Sequence, residues 1–344
     1  MITESKHHTA SGWAFLLAGT LMASPAAFAA DESWTKRINI GGVVEAEFGA
    51  SEAYDGTKSS DVALATVELG IEGKINDSVD AYVSFLYEED DTAYDVDEGY
   101  ISVALGAIHI QAGQMYIPFG SYETNVISDS LTLEIGETRE SVFKLGAELG
   151  NISASVYVFN GSTQESGGDD VADQTGASIA YVYKGKGFSM DIGFDYLSNI
   201  GDSDTISGVV GTTLVSYVSG QVIHANLNFG NLNFIAEHLT TDKFDVSELS
   251  FKSKGAEIAA SHIELAYTYN ILRIESTLSY AMQTTEEALA LGLPEEKSIL
   301  CLSMSIYDGT SLGFEYATAT DYAVADGGTG KDETSYTVQL SVEF

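Results

Sequence analysis

Apolar and polar residues take turns along almost the whole of this chain. Ile40, Gly42, Val44, Ala46 and Phe48 alternate with Asn39, Gly41, Val43, Glu45 and Glu47, and Val67, Leu69 and Ile71 with Thr66, Glu68 and Glu72. Val79, Ala81, Val83, Phe85 and Tyr87 alternate with Asp80, Tyr82, Ser84, Leu86 and Glu88. Further along, Phe188, Met190, Ile192, Phe194 and Tyr196 oppose Ser189, Asp191, Gly193 and Asp195, while Leu272, Ile274, Leu278 and Tyr280 oppose Arg273, Glu275, Thr277 and Ser279. Successive side chains of a strand point to opposite faces, so a period of two marks strands with one apolar and one wet side. A chain built from such strands needs a different solvent on each face.

The pattern divides into about 16 segments of roughly ten residues, the strand length and even number of a bacterial outer-membrane β-barrel, lipid outside and water within. Residues tolerant of positive φ mark tight turns at Gly73 to Ser78, Gly106, Gly150-Asn151, Lys184 to Gly187, Gly230-Asn231, Asn270-Ile271 and Asp308-Gly309. Longer polar loops fall between them, at residues 49–60, 89–96, 117–140, 161–175, 198–217, 241–255, 283–296 and 319–334. Short and long alternate strictly, which predicts short periplasmic turns and long external loops. The final segment, Ser335 to Phe344, puts Tyr336, Val338, Leu340, Val342 and Phe344 on one side, the form of a closing barrel strand and the expected handle for barrel-assembly machinery. A soluble β-sandwich or β-helix also alternates. A sandwich of this length would split into domains, yet no linker, composition shift or short repeat interrupts the chain. Residues 30–344 are therefore expected to form one all-β, antiparallel, transmembrane barrel domain, closed because lipid cannot satisfy a free sheet edge.

Ahead of the strands, Lys6, His7 and His8 precede an apolar run from Trp13 to Met22 and then Ala27-Phe28-Ala29. The run is too short to span a bilayer, so residues 1–29 read as an export signal cut after Ala29. Cys301, the only cysteine, lies far from that point, which leaves no acceptor for a lipid and no partner for a disulfide. The formal charge of −36, from 51 acidic against 15 basic residues, argues against nucleic acid and against phosphate capture by a basic patch. The hydrophobic content of 44%, with 19 tyrosines and 15 phenylalanines, separates the chain from disordered acidic sequences. Beyond the signal, no apolar run approaches the roughly 20 residues of a membrane helix. The expected surroundings are outer-membrane lipids and lipopolysaccharide, and a homotrimer is one assembly open to a barrel of this size, with no interface face marked among equally apolar strands.

A barrel of about 16 strands encloses an aqueous channel unless something fills it. The longest loop, 117–140, is the candidate filler. Pro118 and Gly120 would end the preceding strand and shape the loop's entry, and Ile127, Leu131, Leu133 and Ile135 would pack it against the inner wall. Glu123, Asp129, Glu134, Glu137 and Arg139 lie on this loop. With Lys144 on the next strand and Arg273 from the far wall, they are the candidate residues of the constriction and solute path. Carboxylates also come from the wall at Glu45, Glu47, Glu68, Asp191, Asp195, Glu264 and Glu275. Rings of carboxylates raise local cation concentration and repel anions, so the pore should prefer cations, with a transverse field where acids oppose Arg139. Pairing of Glu134 and Glu137 with Arg139 simply to hold the loop is the plainer alternative.

The run AGQMYIPFGSYETNVISDSLTLEIGETRES, the downstream YKGKGFSMDIGFDYLSNIGDSD and the stretch Leu289 to Lys297 resemble the LbtU-type siderophore porins of Gram-negative bacteria. The likeness covers essentially the chain beyond the signal, and the block from Pro118 to Arg139 is its most distinctive part. It implies an outer-membrane porin for passive uptake of an iron-chelating siderophore, without the plug domain of energy-coupled receptors.

No catalytic constellation emerges. His109, His224, His238 and His262 each stand alone, with no nucleophile at a suggestive spacing, and no His or Cys spacing suits a metal. Cys301 reads as inward and incidental. The acidic stretch from Glu88 to Glu98 and the group Asp169, Asp170 and Asp173 lack the glycine and terminal glutamate of a calcium loop and read as solvated external loops. No cofactor is implied. A substrate-biased channel for a siderophore or similar small solute, a general diffusion porin, and a structural or adhesive barrel acting through its loops all share this sequence pattern.

Overall fold

The computed structural model describes residues 37–89 and 92–344; the expected signal segment and its cleavage point lie outside the described residues. Sixteen antiparallel strands form a closed barrel. They are β1 (Ile38–Glu52), β2 (Lys58–Asn76), β3 (Val79–Tyr87), β4 (Asp95–Leu105), β5 (Ile108–Tyr116), β6 (Arg139–Leu149), β7 (Ile152–Phe159) and β8 (Gln174–Gly185). The second half comprises β9 (Phe188–Leu197), β10 (Gly220–Phe229), β11 (Leu232–Thr241), β12 (Ala259–Ile271), β13 (Ile274–Glu286), β14 (Glu296–Tyr307), β15 (Thr310–Thr320) and β16 (Asp332–Glu343). Each strand pairs with the next, and β1 closes on β16 in a ladder from Val43 opposite Glu343 to Glu52 opposite Thr334.

Among the described residues, seven connections at one end are two-residue turns, while eight longer ones occupy the other end. The turn expected at Asn270-Ile271 lies two residues later. Leu272 (φ 51°) and Arg273 (φ 74°) form it, both left-handed without a glycine, so the usual turn residues gave no signal there. The strands also run further into the loops than the apolar pattern suggested: the first loop shrinks to residues 53–57.

Alternation sorts the faces. Val44, Phe48, Ile101, Leu145, Ile223, Leu265 and Leu300 are exposed on the outer surface, whereas Glu45, Ser84, Asp195, Glu264 and Cys301 are buried toward the interior. One bulge shifts the phase. The β1–β2 register jumps between Glu45 and Glu47, so Val62 and Leu64 face outward above it and Val67, Leu69 and Ile71 below. Toward the short-turn end Phe188 stacks on Phe229 (ring centroids 4.7 Å apart) and meets Tyr183 (5.9 Å), a fragment of an interfacial aromatic belt.

The interior is not a bare tube. A hydrophobic cluster joins Met115, Phe119, Ile135, Tyr157, Leu197, Ile206, Val222, Leu239, Phe244 and Leu249. These residues come from the inner wall of the middle strands and from the long loops, which fold inward and give the barrel a packed core on one side.

Candidate functional site: an inward-folded loop held by carboxylates

The segment 117–138 leaves β5 at Ile117 and re-enters the wall at β6, whose first residue is Arg139. Pro118 follows the last strand residues, and Tyr157 donates its hydroxyl to the Pro118 carbonyl (3.4 Å). Gly120 takes φ +91°, a left-handed conformation that costs a side-chain-bearing residue energy, and the ring of Tyr122 fills the space where a Cβ would stand. Gly136, at the far end of the loop, lies against the same tyrosine hydroxyl. Glycines at both ends thus close around one ring.

The loop crosses the lumen on a row of carboxylates. The Gly120 N–H donates to Asp195 of β9 (2.9 Å), and the N–H groups of Ser121 and Tyr122 donate to one oxygen of Glu237 of β11 (2.7 and 3.1 Å). Thr124 Oγ1 and the Asn125 backbone and side-chain amides converge on Glu264 of β12 (2.6, 2.9 and 2.7 Å). The N–H groups of Ile127 and Ser128 share an oxygen of Glu315 of β15 (2.6 and 3.1 Å), and the Leu131 N–H donates to Gln283 of β13 (3.0 Å). Carboxylates accept such bonds strongly, and a buried backbone amide without a partner is costly, so each contact fixes the path of the loop. Much of the acidity of the interior is therefore spent on peptide groups.

Apolar contacts finish the docking. Val126 and Ile127 pack with Ala281, Ile299, Cys301 and Ala317 on β13 to β15, and Ile127 reaches the place a Cβ would occupy at Gly313. Cys301 is inward as expected; it is not incidental, since it forms part of the seat under the loop tip. The helix α1 (Leu131–Gly136) begins at Ser130, whose hydroxyl accepts from the Leu133 N–H (3.1 Å). It packs on β12 and on a second short helix, α2 (Asp204–Val210), in the loop after β9. Asp202, just before α2, accepts from the N–H groups of Ser162 (2.9 Å) and Thr163 (2.6 Å), tying that loop to the one before it.

The candidate residues do not form one constriction. Glu123 is exposed and accepts from the Asn226 side chain; Asp129 is buried at 5% exposure; Glu134 is half-buried on α1. Glu137 is pushed up to about 8 by burial, with Asp204, Asp97, Glu134 and Glu88 adding to the effect. Arg139 does not pair with Glu134 or Glu137. Its guanidinium donates to Asp97 of β4 at 2.5 Å, and the Tyr116 hydroxyl donates to the same oxygen (3.0 Å). The pair bridges β4 and β6 across the intervening β5 rather than opposite walls, so the charge of Arg139 is met at this end of β4 to β6. Lys144 is half-buried and inward on β6. Arg273 is a correction: it sits exposed in the two-residue turn at the short-turn end and does not reach the lumen wall. Glu275 is likewise exposed near that end.

Asp97, Glu237, Glu315 and Gln283 escaped the sequence reading. Asp97 and Glu98, assigned there to a solvated loop, lie on β4, where the register with β3 jumps between Val83 and Phe85 and obscures the alternation. The other three were legible by parity as inward polar residues, but not as partners of a loop. In a 16-strand barrel, strands eight apart face each other, so the loop docked on β9 to β15 leaves the wall of β1 to β5 across the lumen. That wall carries Glu45, Glu47, Glu68, Glu72 and Glu98. Among the described residues, no group of three or more His, Cys, Asp and Glu side chains could hold a metal ion, and no helix is long and apolar enough to cross a membrane.

No family model matches the chain. It is 26% identical over 314 residues to a UPF0422 protein of Coxiella burnetii, covering 87% of this chain and 67% of that protein. It is also 26% identical to one of Legionella pneumophila, covering 89% and 66%. The chain thus spans about two thirds of the length of these curated relatives. Among solved structures it is similar to an anion-selective porin from Comamonas acidovorans (TM-score 0.65, 16% identity, 89% of this chain and 99% of that one). It is similar too to OprB of Pseudomonas putida (0.65, 10%, 90% and 95%) and to the trimer form of OmpT of Vibrio cholerae (0.55, 13%, 89% and 99%). The fold is that of the bacterial outer-membrane porins.

Proposed function

We propose that the chain forms a water-filled channel through the outer membrane that prefers cations and passes small polar solutes without catalysis. The observation that carries this reading is the row of half-buried carboxylates on the wall of β1 to β4, Glu47, Glu68, Glu72 and Glu98, with Lys74 on the same face of β2 and Lys144 on β6 as its basic neighbours. Unlike the acids of the far wall, these are not taken up by the loop's peptide groups. Carboxylates lining a narrow aqueous path attract cations and repel anions. The Comamonas porin, described as anion-selective, shares the fold; selectivity follows the residues of the lumen rather than the barrel that carries them.

Passive uptake of a ferric siderophore is the finer form of this reading, supported by the likeness of the Pro118 to Arg139 block. Assembly as a trimer is likewise proposed, in keeping with the trimer form of OmpT. The ionic preference is tested by reversal potentials across a planar bilayer in a potassium chloride gradient. A potential on the potassium side is expected, and a chloride preference would sink the reading. Flux into liposomes of an iron-loaded chelate, compared with sugars and amino acids of similar size, separates a siderophore path from general diffusion.

A further inference from the structure

Four inward positions on adjacent strands stand in one row across the wall facing the docked loop. Glu72 of β2 is opposite Tyr82 of β3, Tyr82 is opposite Tyr100 of β4, and Tyr100 is opposite Gly113 of β5. The two tyrosine rings lie 5.4 Å apart, tilted by 41°. Glycines make room for them: a Cβ at Gly70 would lie 2.8 Å from the Tyr82 hydroxyl, and one at Gly113, where φ is +139°, 2.6 Å from the Tyr100 Cα. Asn39 donates its side-chain amide to Glu72 at 3.0 Å and holds that carboxylate at the edge of the row. Glu68 precedes Gly70 on the same inward face, and Glu98 is a close electrostatic neighbour of both rings. Tyr100 also packs against the hydrophobic cluster formed by the inward-folded loops, so the pair borders the filled side of the lumen. Both tyrosines are half-buried, with part of each ring open to the interior.

The combination selects a chemistry. A ring face carries negative electrostatic potential and an apolar surface, so it favours a cation that also has a hydrocarbon body. The flanking carboxylates supply the counter-charge. A hydrated alkali ion gains from the carboxylates alone, a sugar finds stacking faces but no ionic partner, and an anion is repelled. Lys144 stands toward Glu98 and offsets part of its charge, and Lys74, the next inward position of β2 toward the turn, lies opposite Asp80, which leaves Glu68 and Glu72 as the principal acids beside the rings. Resting on the cation-preferring channel proposed above, we infer that Tyr82, Tyr100, Glu68 and Glu72 form a binding step for organic ammonium solutes on their way through the lumen.

Current through single channels in potassium chloride tests this, with 1,5-diaminopentane as the probe and 1,5-pentanediol as its neutral counterpart. The diamine is expected to interrupt the wild-type current in proportion to its concentration, and the diol to leave it unchanged. Tyr82→Leu and Tyr100→Leu should raise the half-blocking concentration about three- to tenfold, while Tyr82→Phe keeps the ring and the block. The potassium preference should not move in any of these variants, because the tyrosines are neutral. That unchanged reversal potential also reports a correctly assembled barrel. A wild-type channel that prefers potassium but ignores the diamine overturns this inference and leaves the parent reading standing. Equal block in wild type and both leucine variants removes the tyrosines from the site and overturns it as well. A wild type without cation preference takes down both.

Discussion

Asp97 is 5% exposed, and one oxygen of its carboxylate accepts from both Arg139 and the Tyr116 hydroxyl. Arg139→Ala would strip a buried anion of its charged partner, at a cost on the order of 2 kcal/mol, because the loss of one member of such a pair leaves the other desolvated. The double variant Asp97→Asn with Arg139→Gln should recover part of that loss; thermal unfolding followed by heat-modifiable gel mobility is the measurement, and no recovery would show that the pair is not the unit. Glu137 carries a different signature. Its value near 8 in the docked loop exceeds that of a free carboxylate, so the docked state holds the extra proton. Docking is then favoured below the ordinary carboxylate range and weakens as pH rises through 8. Open-channel current noise should increase between pH 6 and pH 9 in the wild type and stay flat in Glu137→Gln; an identical rise in the variant assigns the effect elsewhere. Arg139 and Glu137 could both be found in the sequence as charged residues of a long loop, but their partners could not, since Asp97 is brought to Arg139 by strand register alone. Arg273 misled for a related reason: a turn built from Leu272 and Arg273 moves a side chain from wall to rim, and neither residue announces a left-handed backbone.

The loop and its carboxylates act as one element. Each charge-assisted contact contributes about 1.5–3 kcal/mol, so Glu315→Ala should cost about 2 kcal/mol of docking, and Glu315→Gln, which keeps an acceptor oxygen, less. Cys301 gives a native reporter. It is 1% exposed beneath Val126 and Ile127, so a thiol reagent reaches it when the loop tip lifts. Labelling should accelerate about 30-fold in Glu315→Ala, the factor equivalent to 2 kcal/mol; an unchanged rate would mean that the tip stays docked without the carboxylate. The existence of this element was legible, because Pro118, Gly120 and the spaced apolar residues mark an ordered loop. Its route was not. The acceptors come from β9, β11, β12, β13 and β15, strands separated by up to about 190 residues from the amides they bind (188 for Glu315 and Ile127), and alternation says only that each acid points inward.

At the scale of the molecule, the barrel itself was written in the period-two pattern, because lipid outside and water inside impose opposite demands on successive residues. Strand number, antiparallel order and the division into short turns and long loops followed from that alone. What the pattern could not convey is that the interior is two environments: a packed core where the long loops meet the middle strands, and an acidic wall across from it. The inward residues of both look alike in sequence, polar or small with scattered apolar positions, and only the fold of the loops decides which are covered. The conduction, ionic preference and organic-cation step proposed above would all belong to the uncovered wall.

The way the loop is held has an evolutionary consequence. Asp195, Glu237 and Glu315 grip peptide N–H groups, which every residue but proline possesses. Side chains at Ser121 and Ser128 are then free to drift without loosening those particular bonds, whereas the wall carboxylates and Tyr122, whose ring fills the space at Gly120 and Gly136, are not, and Asn125, which adds its own amide, is constrained twice over. Descendants of this barrel can thus rewrite part of the surface that the loop shows to the lumen while inheriting an unchanged path for its backbone.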